Sequence, residues 1–189
     1  MRARFGPRAL ATLAALALAG AGIAVAQPAA AANTTYYINS ATGNDGASGT
    51  SPGTAWKTLA AANSRTFGAG DSILLVRGGS WSGQLAPGGS GTAAAPITIS
   101  AYGTGAAPHI DGGTVTTGGA VHLQNQSYWT IENLDIVSNT GADNFGSLTT
   151  DGTPRAGIQV RNTVGNSTVS GIVIRNNTVT DVNGCFHCV

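Results

Sequence analysis

Four short apolar runs recur along the chain in step: Ile73-Leu74-Leu75-Val76, Pro96-Ile97-Thr98-Ile99, Ala120-Val121-His122-Leu123 and Gly157-Ile158-Gln159-Val160. Leu75 to Ile99 is 24 residues, Ile99 to Leu123 is 24, and Leu123 to Val160 is 37, or 24 with an insertion of 13. A fixed offset of this size marks stacked structural repeats. A second series agrees. Trp129-Thr130-Ile131-Glu132-Asn133-Leu134-Asp135-Ile136 matches Ile172-Val173-Ile174-Arg175-Asn176-Asn177-Thr178-Val179, with an offset of 43. Each copy reads strand, Asn corner, strand. A strand of three to five residues has no independent stability, but stacking at about 4.8 Å lets each one hydrogen-bond the repeats above and below.

The expected fold is therefore all-β: a right-handed parallel β-helix, a solenoid of three short strands per coil and about three to four coils. Alternation turns Ile97 and Ile99, Val121 and Leu123, and Ile158 and Val160 inward. Asn133 and Asn176, one above the other, suit a side-chain amide ladder. A β-sandwich would show hairpin turns every 8 to 12 residues and would not hold one register. Residues 40–53 (SATGNDGASGTSPG) are turn chemistry throughout. Next comes one helix, expected over Thr54 to Asn63, with Thr54 as N-cap and Trp56, Leu59 and Ala60 as its apolar stripe.

The first 32 residues stand apart from this pattern. Arg2, Arg4 and Arg8 precede an apolar run from Leu10 to Ala26, and Ala24-Val25-Ala26 and Ala30-Ala31-Ala32 are small-residue cleavage sites. That is the arrangement of a secretory signal peptide, so cleavage is expected after Ala26 or Ala32. The β-helix domain then occupies 33–189, in a secreted, extracellular protein with no membrane association once the leader is gone. Removing the leader takes three of the nine basic residues and none of the eight acids, leaving a formal charge of −2. A nucleic-acid partner would call for a basic excess or cluster, and neither is present. Charged residues are only 9% of the chain, with Gly, Ser, Thr and Asn in their place, as an all-β protein with many turns requires.

Several segments resemble the opening of right-handed β-helix proteins of the pectate-lyase-like superfamily. They are Tyr36-Tyr37-Ile38, Trp56-Lys57-Thr58-Leu59, the stretch from Gly70 to Trp81, Pro96-Ile97-Thr98-Ile99, Pro108-His109-Ile110-Asp111-Gly112 and Tyr128-Trp129-Thr130-Ile131. The resemblance covers nearly all of 33–189. It implies a secreted protein of the polysaccharide lyase or glycan-processing type, acting on or binding an extracellular polysaccharide, acidic ones included, and an N-terminal capping helix, here the one carrying Trp56 and Leu59, that closes the end of the stack. The protein is expected to be a monomer. The superfamily also holds non-catalytic surface proteins, and fold alone selects no reaction. A non-catalytic glycan-binding or adhesion module, or an inactive truncated fragment, are the alternative readings.

The superfamily places its glycan groove along one sheet. Here that implies the strands at 73–77, 97–101, 120–124 and 157–161. With Leu123 and Val160 inward, His122, Gln124, Gln159 and Arg161 lie outward, with Thr98 and Ser100 one coil earlier. The insertion beside this face carries Asp143, Asn144, Asp151 and Arg155. The substrate-binding set is thus His122, Gln124, Gln159, Arg161 and Arg155, and Asp143 with Asp151 are the pair that could hold Ca²⁺ through loop carboxylates and carbonyls. No catalytic residue is assigned. Elimination needs a base beside a uronate carboxylate, and Lys57, the sole lysine, falls in the expected helix. Hydrolysis needs two acids; Glu132 and Asp135 flank the Asn corner on another face. Cys185 and Cys188 form Cys-Phe-His-Cys near the C-terminus, too close for an unstrained disulfide. The chain ends shortly after Val182 without an evident cap, so the domain is expected to be incomplete there. Asn33, Asn125, Asn166 and Asn176 head N-x-Ser/Thr sequons.

Overall fold

The computed structural model describes residues 33–116, 118–139 and 156–182. The expected leader, Asp143, Asn144, Asp151, Arg155, Cys185 and Cys188 lie outside them. The described chain runs β1 (Thr35–Ile38), a 3-10 turn at Pro52–Thr54, α1 (Leu59–Asn63), β2 (Thr66–Phe67), β3 (Ser72–Val76), β4 (Ser80–Ser82), β5 (Gly88–Gly89), β6 (Ile97–Tyr102), β7 (His109–Asp111), β8 (Gly119–Gln124), β9 (Trp129–Glu132), β10 (Asp135–Ser138), β11 (Ala156–Arg161), β12 (Val173–Arg175) and β13 (Thr178–Val182).

Every named strand pairing is parallel. One sheet has the order β1-β3-β6-β9-β12, a second β13-β10-β7-β4, a third β11-β8, and a small fourth β2-β5. This arrangement is mostly β and compatible with a β-helix or solenoid. Like residues stand in columns across the strands, buried except at Ile174 and Val179, which are exposed, and Ile158, which is partly buried. Ile73, Ile99, Ile131 and Ile174 stand beside one another in the first sheet. Trp81, Ile110, Ile136 and Val179 do so in the second. Leu85, Val121 and Ile158 form the third column. β-branched side chains pack well on this pleated surface, and each fully buried Ile or Leu contributes roughly 1.5–3 kcal/mol.

These pairings correct the 24-residue register. Ile99 is beside Ile73, with Leu75 opposite Ala101. The next strand in that sheet is β9, where Ile99 meets Ile131; β8 belongs to a different sheet. The apparent repeat from Ile99 to Leu123 therefore joined two faces. Strands on all faces share the same inward alternation, so an offset between faces looks like an offset between repeats. The true spacing varies with connection length. The 43-residue offset does hold, with Ile131 beside Ile174, and so does the 37-residue one, with Leu123 beside Val160.

The N-terminal element also differs. Trp56 lies in extended backbone bridged to Ile38, outside any helix. Helix α1 is five residues long, starts after Thr58 and buries Leu59 and Ala62, while Ala60 is exposed. Pro52 opens the 3-10 turn, and Ala55 after it is extended (ψ 146°), so the helix does not begin at Thr54. Trp56 is instead held by stacking on Tyr36 at 5.1 Å and by Arg65 at 4.7 Å above its ring. Its Nε1 donates to the Ala47 carbonyl at 3.1 Å. Gly49 (φ +75°) lies directly on the indole: a Cβ there would fall 2.3 Å from Trp56 Cε2.

Asp45 reaches the start of α1 from the turn-rich loop. Its carboxylate accepts from the N–H of Lys57 (2.7 Å) and Thr58 (2.9 Å) and from the Thr58 hydroxyl (2.7 Å). Burial opposes its charge, but the hydrogen bonds from Thr58 and Lys57, with the Lys57 charge, outweigh it and hold the carboxyl below its usual value. A depressed folded value means that the stabilisation is complete above the unfolded value, about 3.9, and is lost as pH falls through the folded one. Acid titration followed by NMR is expected to place the Asp45 midpoint below that value, with the Lys57 and Thr58 amides moving on the same curve. A midpoint at or above it would contradict the capping role.

At the corners, Asn133 and Asn176 are left-handed (φ 62° and 55°), a conformation Asn tolerates better than other non-glycine residues. The expected amide ladder between them is not the bond that forms. Asn133 Nδ2 donates to Ser100 Oγ at 3.0 Å. The neighbouring Asn177 links the repeats, accepting from Leu134 N at 3.0 Å and donating to the Ile131 carbonyl at 2.9 Å.

Candidate functional site

The face formed by β8 and β11 is built by alternation. Val121 and Leu123 are fully buried, and Ile158 and Val160 pack beside them. Register then sets His122 beside Gln159 and Gln124 beside Arg161. Four of the expected binding residues are thus brought together on two adjacent strands; Arg155 lies outside the described residues. The pairing continues to Leu85, whose N–H donates to the Ala120 carbonyl (2.8 Å) and whose carbonyl accepts from His122 N–H (2.9 Å). Thr98 and Ser100, expected on this face, sit in the first sheet on β6 instead.

The face is graded in exposure. His122 is 8% exposed, Gln159 and Arg161 are half-buried, and Gln124 is open. Gln159 Oε1 is buried and accepts no hydrogen bond from the described residues. The far end is tied by Asn125 and Thr163: Thr163 N–H donates to Asn125 Oδ1 at 2.7 Å, and Asn125 Nδ2 donates to Thr163 Oγ1 at 2.9 Å. At the near end, Gly118 (φ +73°) lies against both inner polar groups. A Cβ there would be 2.5 Å from His122 Nδ1 and 3.0 Å from Gln159 Oε1. Composition made this glycine inconspicuous among 28, although its place just before an apolar run was a signal. Gly118→Ala is expected to cost about 1–2 kcal/mol in backbone strain and to displace the imidazole. Thermal unfolding and the His122 ring shifts in NMR would check both, and an unchanged ring environment would contradict the packing described.

Among the described residues this surface presents hydrogen-bonding groups but no pair of acids. Imidazole, two amides and a guanidinium present donors and acceptors suited to hydroxyls. Glycosidic hydrolysis takes two carboxyl groups set across the bond, and none of the described acids lies on this face. Each is committed elsewhere. Asp45 holds the start of α1. Asp71 accepts from Thr34 and Gly68 N–H, both at 2.8 Å. Asp111 accepts from Gly113 N–H at 2.8 Å, and Asp181 from Asn139 Nδ2 at 2.6 Å. Glu132 pairs with Arg175 at 2.7 Å and Asp135 with His109 at 2.8 Å. That last pair lies across β7 and β10. Among the described residues no group of three or more His, Cys, Asp or Glu could hold a metal ion, and the Asp143–Asp151 pair lies outside them.

No protein-family model matches the chain. It is similar to a lacto-N-biosidase of Bifidobacterium longum subsp. longum, 32% identical over a 194-residue alignment that takes in 79% of this chain and 12% of the relative. It is also similar to an alpha-1,3-galactosidase A of Akkermansia muciniphila, 42% identical over 69 residues, covering 36% of this chain and 11% of the relative. The chain therefore spans roughly an eighth of the length of the curated relatives it matches. Among solved structures it is similar to the GH136 lacto-N-biosidase of Eubacterium ramulus. The selenomethionine derivative superposes with a TM-score of 0.67 at 27% identity, covering 80% of this chain and 28% of that one. The native protein gives 0.64 at 28% identity with the same coverage. By their names these relatives are glycoside hydrolases.

Proposed function

We propose that the chain supplies the glycan-contacting surface of a secreted β-helix protein of the glycoside hydrolase type, with the β8–β11 face as that surface. The carrying observation is the likeness to lacto-N-biosidase over four-fifths of the chain, on a scaffold whose strands all pair in parallel. Parallel strands joined by crossovers within one sheet take the right-handed path in nearly all proteins. This supports a right-handed β-helix of the pectate-lyase-like kind, with β6-β7-β8 and β9-β10-β11 as successive coils. The basic, then apolar, then small-residue order of 1–32 supports export.

Hydrolysis is preferred to elimination. A lyase needs a base placed beside a uronate, and among the described residues Arg161 is the sole cation on this face. Lys57 is exposed beside α1. The reacting carboxylates of a hydrolase come, on this reading, from outside the described residues. One observation favours a second reading, a non-catalytic glycan-binding module: the described acids all have structural partners. Incubation of the chain with p-nitrophenyl lacto-N-bioside and with p-nitrophenyl α-galactoside, alongside binding of lacto-N-biose by calorimetry, separates the two. Release of nitrophenol supports the hydrolase, and saturable binding without release supports the module. Neither binding nor release, or an unsaturated product from pectate instead, would overturn the proposal.

A further inference from the structure

The outer side of the first sheet carries a second polar–aromatic surface that the β8–β11 face does not use. With Ile73, Ile99 and Ile131 inward and fully buried, the residues that follow them in the strands face out. Tyr37 stands beside Leu74, and Leu74 beside Ser100. Ser100 Oγ donates to Glu132 Oε1 at 3.3 Å, and Glu132 is beside Arg175. Five strands spaced about 4.8 Å apart make this row roughly 19 Å long.

Its two ends differ in chemistry. At one end Tyr37 and Tyr102 meet edge to face, centroids 5.0 Å apart and planes at 86°, so that one ring is a floor and the other a wall. Leu74 and Val76 fill in beneath, all four residues being half-buried. Flat aromatic surfaces of this sort take the C–H face of a pyranose, which is apolar, and leave its hydroxyl rim to polar neighbours. At the other end Arg175 is 60% exposed, and its Nε donates to Glu132 Oε2 at 2.7 Å. Nε is the only guanidinium nitrogen of Arg175 with a partner among the described residues, so the two terminal NH₂ groups form a donor fork held in place by the carboxylate. Glu132, with 17% of its side chain exposed, balances the charge. The row as a whole is therefore neutral, which disfavours an anionic ligand and suits hydroxyls.

We propose that this row is a second carbohydrate site, taking a neutral oligosaccharide of about four pyranose units laid across β1, β3, β6, β9 and β12. One ring sits in the Tyr37–Tyr102 corner and another meets the Arg175 fork. The site is independent of the β8–β11 face.

Calorimetric titration of the whole chain with cellotetraose, and with tetragalacturonate as an acidic control, tests it. Cellotetraose is expected to bind, with affinity at least fivefold weaker in Tyr37→Ala and in Arg175→Ala. Arg175→Lys, which keeps the charge but not the fork, should weaken binding likewise. Tyr37→Phe, which keeps the ring, should bind as the unaltered chain does. Cellotetraose affinity unchanged in Tyr37→Ala and Arg175→Ala would overturn the proposal, as would a preference for tetragalacturonate or no saccharide binding at all. Binding kept in those variants but lost in His122→Ala would overturn it while leaving the β8–β11 reading standing.

Discussion

Trp129→Ala is expected to lower stability by about 3–5 kcal/mol, the range for truncating a buried aromatic residue. Trp129 is wholly buried. It sits beside Ile97 in the first sheet, its ring meets Phe67 edge to face at 6.4 Å, and its Nε1 donates to the Gly89 carbonyl at 3.0 Å. Truncation opens a cavity between β6 and β9 and also strands the Gly89 carbonyl, whose lost bond costs about 1 kcal/mol or more. The indole ties the first sheet to the small β2–β5 sheet, so the loss should be felt in both. Chemical denaturation with hydrogen exchange checks this. A loss below about 1 kcal/mol, or protection lost only locally in β9, would contradict the packing.

The second large effect is on binding. His122→Ala and Gln159→Leu are each expected to weaken lacto-N-biose binding about tenfold, or 1.4 kcal/mol, and the double change about a hundredfold if the two contacts add. Their effects on stability should diverge from this. Gln159 Oε1 has no partner among the described residues, so the leucine leaves no orphan behind it. Burying an amide oxygen unpaired is unfavourable, and removing it is expected to leave the unfolding midpoint unchanged or raised. A stability loss matching the binding loss would make Gln159 a structural residue.

The architecture was legible wherever two repeats carried the same local chemistry. The 43-residue match held because both copies contain an Asn corner, and a left-handed corner residue is a demand that few side chains meet. The 24-residue match failed because Ile99 and Leu123 satisfy the same alternation on different sheets. Inward apolar residues record only that a strand has a core side, not which sheet it joins. Trp56 misled for a related reason. Its spacing to Leu59 imitates a helical stripe, yet the indole is buried by Gly49 and Tyr36, contacts remote from any local pattern.

That His122, Gln124, Gln159 and Arg161 share one face of two paired strands followed from alternation, whereas the burial of His122 did not. Gly118 did not, because its requirement comes from the His122 ring across the bend. The Tyr37–Tyr102 corner was out of reach too: those rings are 65 positions apart, and only the pairing of β1, β3 and β6 brings them together.

Exposure along the core columns carries a further consequence. Ile131 and Ile136 are fully buried, whereas the residues stacked next to them, Ile174 and Val179, are 49% and 43% exposed. β12 and β13 are edge strands of their sheets, and edge strands with apolar side chains invite pairing. At the opposite edge, Trp56, bridged to Ile38 of β1, and Leu59 and Ala62 after it are each 5% exposed or less.

The central claim, that the β8–β11 face of this parallel stack contacts glycan, is tested most directly by titrating the ¹⁵N-labelled chain with lacto-N-biose. Saturable amide shifts are expected within 119–124 and 156–161, strongest at His122 and Gln159. A titration that leaves the amides of those two strands unmoved while the sugar binds elsewhere, or does not bind, would contradict it.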